Sequence, residues 1–430
     1  MREPYAASPQ TIDTVVGVLD KRMNRTLKQY MDTCARCAIC KDACHQYVVT
    51  GDMTYLPAYR AELLRKIYRK YFTKAGHFVP ALYEARDPDE DLLKELADAT
   101  YACTNCRRCT YFCPFSIDTG WIVSASKAVL IATGYGNEML GQLADAAIFK
   151  GDNVDMFRDS LTAGFRDTEA EIRELTGDPN AEIPVDKQGA DVLYVALAGA
   201  HSYKSAAIIF NEAGTNWTLS MFEAANYGFF YGDTDRAKKI ADRIVNEAIR
   251  LGVKEMVVPE CGHAYRVMEM FYAAWDGKPL PFRVRHILEV IDEYIKTGRI
   301  EVSKAITDRV TYHDPCQIGR NGGIFEAPRD IVKAISGDFV DMTPNRQEQW
   351  CCGGGGGIVA MEEYNEMRVR SGNPKVEQIR ATGAKVLACP CENCRLQINE
   401  LNKVHELGLE VRQVMDLVVD AMPLKGRAPE

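Results

Sequence analysis

The hydrophobic rhythm of the chain changes once, near residue 190. Before that point apolar positions recur at helical spacing. In residues 58–74, Leu63, Ile67 and Tyr71 form one stripe, with Leu64, Tyr68 and Phe72 beside it. Further helices are expected from Thr11 to Met31, from the acidic start Asp87-Pro88-Asp89-Glu90-Asp91 to about Thr100, and over about 118–133. Residues 134–188 are polar with a helical pattern, broken at Gly177-Asp178-Pro179 and Pro184. Beyond 190 the run Val192 to Leu197 reads as a buried strand. Met256-Val257-Val258, Val310-Thr311-Tyr312 and Val386-Leu387-Ala388 read likewise, with helical segments between them. That alternation predicts parallel α/β structure. The expected fold class is therefore helical first and α/β second. No apolar run approaches the roughly 18–20 residues that would cross a membrane.

Composition narrows the class. The 430 residues are 47% hydrophobic and 26% charged, which suits two or three globular domains. A net charge of −8 argues against bulk attraction to nucleic acid. The chain has no N-terminal apolar stretch, so no signal peptide is expected. Fifteen cysteines outside a secreted context favour metal ligation in a reducing, cytoplasmic compartment. An anaerobic or low-oxygen host follows from the oxygen sensitivity of such centres. The 58–74 helix also carries Arg60, Arg65, Lys66, Arg69, Lys70 and Lys74. That face is either a solvated cover over a small core or a docking face for a membrane subunit or an acidic partner.

Eight of the cysteines fall in two matching runs. Cys34, Cys37, Cys40 and Cys44 form the first; Cys103, Cys106, Cys109 and Cys113, followed by Pro114, form the second. Both read C-x2-C-x2-C-x3-C, the spacing that holds [4Fe-4S] clusters. A zinc knuckle instead pairs C-x2-C with a distant second pair. In two-cluster ferredoxins the fourth cysteine of each run ligates the other cluster. By that rule Cys34, Cys37, Cys40 and Cys113 hold one cubane, and Cys103, Cys106, Cys109 and Cys44 the other. The two loops are 58 residues apart and joined by helices. This resembles the α-helical ferredoxin module of quinone-linked iron–sulfur subunits rather than the compact β-rich ferredoxin.

The second half contains a weak internal repeat. Gly383-Ala384-Lys385 lies 131 positions after Gly252-Val253-Lys254, and Pro390 lies 131 after Pro259. In this register Glu260 falls on Cys391 and His263 on Cys394. Trp217-Thr218-Leu219 resembles Trp350-Cys351-Cys352 at a slightly different offset. One lobe is thus rich in thiols and its twin has largely lost them.

The thiol-rich lobe holds Cys316, the adjacent pair Cys351-Cys352, and Cys391 and Cys394 as C-x2-C. Gly353 to Gly357 is an unbroken glycine run after the pair. Glycines permit close backbone approach, so the N–H groups of Gly353 and Gly354 are candidates to face cluster sulfurs. Open α/β sheets gather their ligands at strand ends.

The pattern C…CCG…C-x2-C resembles the CCG domain of heterodisulfide reductase catalytic subunits. A helical ferredoxin module ahead of a doubled CCG domain resembles the HdrD-type subunits. The likeness extends to the DsrK, TmcB and HmcF subunits of sulfate-reducer membrane complexes, and more distantly to glycolate oxidase iron–sulfur subunits. It covers about residues 30–415, and Glu260-Cys261-Gly262-His263-Ala264 with CCGGGGG is closest to the DsrK and TmcB branch. The resemblance implies this organisation: an N-terminal arm over 1–33, a two-cubane helical ferredoxin domain over 34–133, and a helical linker over 134–188. A degenerate CCG lobe over 189–300 and a complete CCG lobe over 301–430 follow.

The resemblance also implies two cubane [4Fe-4S] clusters and one noncubane [4Fe-4S] cluster, the last on Cys316, Cys351, Cys352, Cys391 and Cys394. Cys389 is a neighbour or substitute for Cys391. The first lobe has Cys261 but neither CCG nor C-x2-C, so no second noncubane cluster is expected. The implied activity is disulfide reduction, or thiol:quinone oxidoreduction, by a subunit peripherally attached to the inner membrane. Its implied partners are a cytochrome b-like or quinone-reactive membrane subunit, multihaem cytochrome c subunits, and a small DsrC-type thiol protein or low-molecular-weight disulfide. His263 is the candidate proton donor to a released thiol, and Cys261 is either a second catalytic thiol in the same cleft or a buried small hydrophobe. His313, beside Pro315-Cys316, reads as structural. Arg320, Arg368 and Arg370 are candidates to attract an acidic substrate tail, or are solvated surface arginines. Two other activities fit the same residues: a pure electron relay, or the iron–sulfur subunit of a flavin-dependent glycolate or lactate oxidase. The chain itself has no GxGxxG fingerprint in context and no P-loop.

Overall fold

A computed structural model describes residues 7–149, 152–197 and 200–426. The extreme ends of the expected arm and last lobe, residues 150–151 of the expected linker and residues 198–199 of the first lobe lie outside the described residues. The chain divides into two compact units. The first comprises Met1–Gln142, Gly228–Asp233 and Trp350–Lys375; the second comprises Leu143–Tyr227, Thr234–Gln349 and Val376–Glu430. The CCG segment thus belongs with the two cysteine runs, a boundary that differs from the lobe limits expected from sequence.

The first unit is helical. A single helix was expected over Thr11 to Met31, but two form, Pro9–Arg22 and Arg25–Thr33. The break has a local cause: the Asn24 side chain accepts the Leu27 N–H at 2.8 Å, capping a new helix. Helix Pro57–Phe72 packs on Glu90–Tyr101 and Thr119–Ala132 through Leu63, Leu64, Ile67, Leu92, Leu96, Ile122 and Val129, all buried. Asp89 starts the second of these by accepting the Leu92 N–H at 3.0 Å, and Arg86 grips Asp89 with two 2.7 Å bonds.

The basic face of Pro57–Phe72 is less uniform than either sequence reading required. Arg60 and Arg65 turn inward and are buried; Arg65 Nε donates to the Met31 carbonyl at 3.1 Å. Arg69 pairs with Glu62 and Lys70 with Asp87.

The second unit carries two parallel sheets. Strands β1 (Val192–Tyr194), β2 (Trp217–Leu219), β3 (Glu255–Val258) and β4 (Arg283–His286) lie in the order β2-β1-β3-β4. Strands β5 (Val310–Tyr312), β6 (Val386–Ala388) and β7 (Glu410–Arg412) lie in the order β5-β6-β7. A bridge from Val310 to Phe339 supplies the edge that corresponds to β2. The repeat is therefore real in topology, but the counterpart of Trp217 is Phe339 and not Trp350. Helices Lys204–Glu212, Ile287–Lys296, Glu326–Ile335 and Val414–Ala421 pack together, and one apolar core runs through Phe210, Trp217, Ile291, Ile331, Val386 and Val418. Among the described residues no helix is long and apolar enough to cross a membrane.

Candidate functional site

The two cysteine runs wind identically. Arg36 and Ala38 in the first, and Asn105 and Arg107 in the second, occupy the left-handed region at φ between 52° and 59°. These positions flank the second cysteine of each run, so the chain reverses its curl around Cys37 and Cys106. Such a winding turns successive side chains and amides toward one centre. A helical turn then leads to the last cysteine of each run.

The fourth cysteine of the first run crosses over. Cys44, Cys103, Cys106 and Cys109 line one small cavity, together with Arg60, Thr104 and Thr119. Burial raises the Cys40 thiol to about 11, and the charges of Cys34, Cys113 and Cys37 raise it further. Burial also pushes Cys109 well up, with Cys103 and Cys44 adding to it. Cys44 thus shares its cavity with the first three thiols of the second run, and Cys113 acts electrostatically on Cys40 of the first. Cys44 is the exception in sign. Burial opposes its ionisation, but Arg60, 3.8 Å from its sulfur, and His45 hold it below the usual thiol range. Four soft thiols around one cavity, with a buried guanidinium beside them, suit a dianionic iron–sulfur cluster and do not suit a dry apolar core.

The CCG segment lies in the same unit. Cys351 and Cys352 are buried. The Gly353 N–H donates to Cys351 Sγ and the Gly354 N–H to Cys352 Sγ, both at 3.4 Å. The glycines beyond serve a second end. A Cβ on Gly355 would lie 2.7 Å from the Thr104 carbonyl oxygen, and one on Gly356 (φ +71°) would lie 2.6 Å from that of Cys103. The glycine run thus lies flat on the second cysteine loop. Arg108 stacks 3.7 Å over Trp350 and donates to the Ala43 carbonyl at 3.1 Å. Lys127, buried in helix Thr119–Ala132, donates to the carbonyls of Phe230 at 2.6 Å and Gly356 at 3.4 Å. Burial draws its ammonium down to about 8.

The second unit presents Cys261, Cys316, Cys389, Cys391 and Cys394, all buried, with His263 and His313. Cys261 and Cys391 each precede a helix with matching extended backbone, φ −146° and −156°. The structural counterpart of Cys391 is therefore Cys261, one position off the register read from sequence, and Asn393 rather than Cys394 takes the place opposite His263. The extra residue in the first lobe is Glu260. Its buried carboxylate accepts the N–H groups of Val414 at 3.1 Å and Met415 at 2.6 Å, capping helix Val414–Ala421. Burial raises it to about 8, against those two bonds.

Burial lifts Cys261 to about 12, with Cys391 the next contributor. Cys391 is held low by its hydrogen bond with Cys394 and by the N–H of Gly262, against its burial. Cys389 Sγ lies 3.8 Å from the Cys391 carbonyl oxygen. Gly262 is tight against Gln317, where a Cβ would come within 2.5 Å of Gln317 Cβ. Arg266 donates to Gln317 Oε1 at 2.6 Å. The loop bearing Cys316 is fixed by Asp314, which Arg329 grips at 2.8 and 2.7 Å while also holding Asp341. The arginines considered for substrate attraction have structural bonds: Arg320 to the carbonyls of Gln347 and Gln349, Arg368 to Asn365, and Arg370 to Val49.

Sequence reasoning passed over Thr104, Arg108, Lys127 and Glu260, and gave His45 no part. Only Glu260, in a motif already quoted, carried a signal.

Comparison with known proteins adds the following. Residues 30–117 match the 4Fe-4S dicluster domain family, and residues 310–399 match the cysteine-rich CCG domain family. The chain is 31% identical to Hdr-like menaquinol oxidoreductase iron-sulfur subunit 2 of Archaeoglobus fulgidus, over 97% of this chain and 84% of that one. It is 27% identical to the HdrD component of the dihydromethanophenazine:CoB–CoM heterodisulfide reductase of Methanosarcina barkeri, over 93% and 97%. It is 24% identical to the EtfAB:quinone oxidoreductase of Syntrophomonas wolfei, over 87% of this chain and 56% of that one.

Proposed function

The chain belongs to the family of Hdr-like iron–sulfur oxidoreductase subunits, and on that premise we propose that it exchanges electrons between a membrane quinone or cytochrome b-like partner and a disulfide or thiol substrate. The observation that carries the reading is the cavity shared by Cys44, Cys103, Cys106 and Cys109 in the same unit as the CCG pair. Cys34, Cys37, Cys40 and Cys113 hold one cubane; Cys103, Cys106, Cys109 and Cys44 hold the other. Cys316, Cys351, Cys352, Cys391 and Cys394 hold a noncubane [4Fe-4S] cluster, with Cys389 as a buried neighbour. These clusters supply one-electron transfer and a thiophilic metal site.

The residues of the chain do the rest. Arg60 offsets the negative charge beside Cys44. The Gly353 and Gly354 amides donate to sulfur. Cys316 after β5, Cys391 after β6 and Cys394 in helix Glu392–Val404 are all buried away from water. His263 supplies a proton to a departing thiolate. Cys261, buried beside Cys391, acts as packing or as a second thiol in the same cleft. The substrate is a heterodisulfide, or the mobile cysteines of a DsrC-type protein. The subunit works on the cytoplasmic face, attached to the inner membrane through partner subunits that include multihaem cytochromes c.

The likeness to a quinone oxidoreductase named for EtfAB favours one second reading, an electron relay that binds no disulfide. Anaerobic purification, iron analysis and EPR of the oxidised protein with and without thiols separate the two. An oxidised-state signal that changes with thiol supports the reductase. About twelve irons per chain without a thiol response supports the relay. About eight irons means that the CCG cysteines bind no cluster, and both readings of that centre fall.

A further inference from the structure

His45 follows Cys44 directly and opens helix His45–Thr50, yet it is buried far from water. Its Nδ1 lies 3.1 Å from the Ser371 carbonyl oxygen, which can only accept, so that nitrogen carries a proton. Its Nε2 lies 3.2 Å from Thr104 Oγ1. The same hydroxyl oxygen lies 3.6 Å from Cys351 Sγ. The ligating atoms of His45, Cys106 and Cys351 all lie within 4.8 Å of one another. Thr104 sits between two cysteines of the second run, and its carbonyl is the surface on which Gly355 rests. Three stretches of chain thus meet on one imidazole: the end of the first run, the middle of the second, and the CCG segment.

We infer that His45, acting through Thr104, is a positioning residue that ties Cys351 to the Cys103–Cys106 loop and so couples the second cubane site to the CCG site. The inference rests on the ligand assignment proposed above. An aliphatic side chain of similar volume could fill the space. It could not donate to the Ser371 carbonyl while meeting the Thr104 hydroxyl. A buried hydroxyl and a buried carbonyl without partners are costly, which makes the arrangement specific to an imidazole. Polar groups beside cluster sulfurs also raise reduction potential, and the His45 ring lies within 4.8 Å of Cys106 Sγ, so His45 acts on the second cubane and not on the first.

The test uses the full chain, purified anaerobically, with His45→Ala, His45→Gln and Thr104→Val beside the unsubstituted protein. Iron content and EPR-monitored redox titration are the readouts. The expected result is unchanged iron with one cubane midpoint moved negative and the other fixed. The shift should be at least tenfold in the oxidised-to-reduced ratio, equal to about 59 mV. Thr104→Val should reproduce it, and His45→Gln, whose amide reaches the Nε2 end, should restore part of it. Full iron with neither midpoint moved overturns the inference. So does an equal shift of both cubanes, or iron loss in all three variants, since each marks a general structural role. Too little iron for two cubanes in the unsubstituted protein overturns the functional reading instead, and the inference falls with it.

Discussion

Replacing Arg329 by Met should loosen the loop that carries Cys316, and the size of the effect follows from what Arg329 holds. Its guanidinium makes two bonds to Asp314, two to Asp341 and one to the Phe325 carbonyl, while being 1% exposed. Asp314 is 2% exposed and would keep only the Arg346 N–H, at 2.9 Å. Breaking a buried pair by removing one partner costs about 3–5 kcal/mol, because the remaining charge stays buried. For a domain of this size that lowers the melting temperature by roughly 10 °C. Arg329→Lys should fall between, since a single ammonium cannot serve two carboxylates in fork geometry. Arg329→Met with Asp314→Asn should recover part of the loss, because the orphaned charge is gone. Anaerobic thermal melts of the four proteins decide the matter. A drop below about 2 °C for Arg329→Met, or no recovery in the double variant, would refute the argument from buried charge.

Other predictions are open to the same preparations. Glu260 is raised to about 8 when folded, above its ordinary 4.5, so the folded state binds the extra proton between those values. Stability should therefore fall as pH rises from about 4.5 to 8, by on the order of 3–5 kcal/mol, and Glu260→Gln should flatten that slope in denaturant melts. Gly356→Ala places a methyl 2.6 Å from the Cys103 carbonyl oxygen at positive φ; it should cost more than about 2 kcal/mol and perturb the second cubane's EPR signal. Cys113→Ser should remove the cubane that contains Cys40, and Cys44→Ser the one that contains Cys109. Each should take about four irons per chain, and the EPR signal that disappears should be that of the other run's cubane; a within-run ligand rule would exchange which signal each variant loses.

The cysteine runs were legible because cubane ligation is written in short spacings, which survive without any tertiary information. Strands β1, β5 and β6 were legible as apolar runs between turns. Strands β4 and β7 were not, being short and charged at Arg283, Arg285, Glu410 and Arg412. The break at Asn24 was overlooked although asparagine is a strong cap, because the apolar stripe runs on past it. The one-residue slip between the lobes was invisible for a different reason. Pro259 and Pro390 align, so nothing local reveals that Glu260 leaves the repeat to cap a helix 154 positions away. The bed under the CCG segment was the least legible part, since Thr104, Arg108 and Lys127 are unremarkable until their distant partners arrive.

That bed sets an order of manufacture. Thr104 and Cys351 are separated by 247 positions, yet each helps to enclose the other. A ribosome adding about 5–20 residues per second needs roughly 10–50 s to cover that distance. For nearly all of that interval, from Cys113 onward, the eight ferredoxin-type cysteines are already made, while the strip that roofs the second set is still unsynthesised. Cluster delivery can therefore take place before the protein is finished, through an opening that the emerging glycine run later shuts. A chain stopped short of Gly353 would lack the strip that rests on the Cys103 and Thr104 carbonyls.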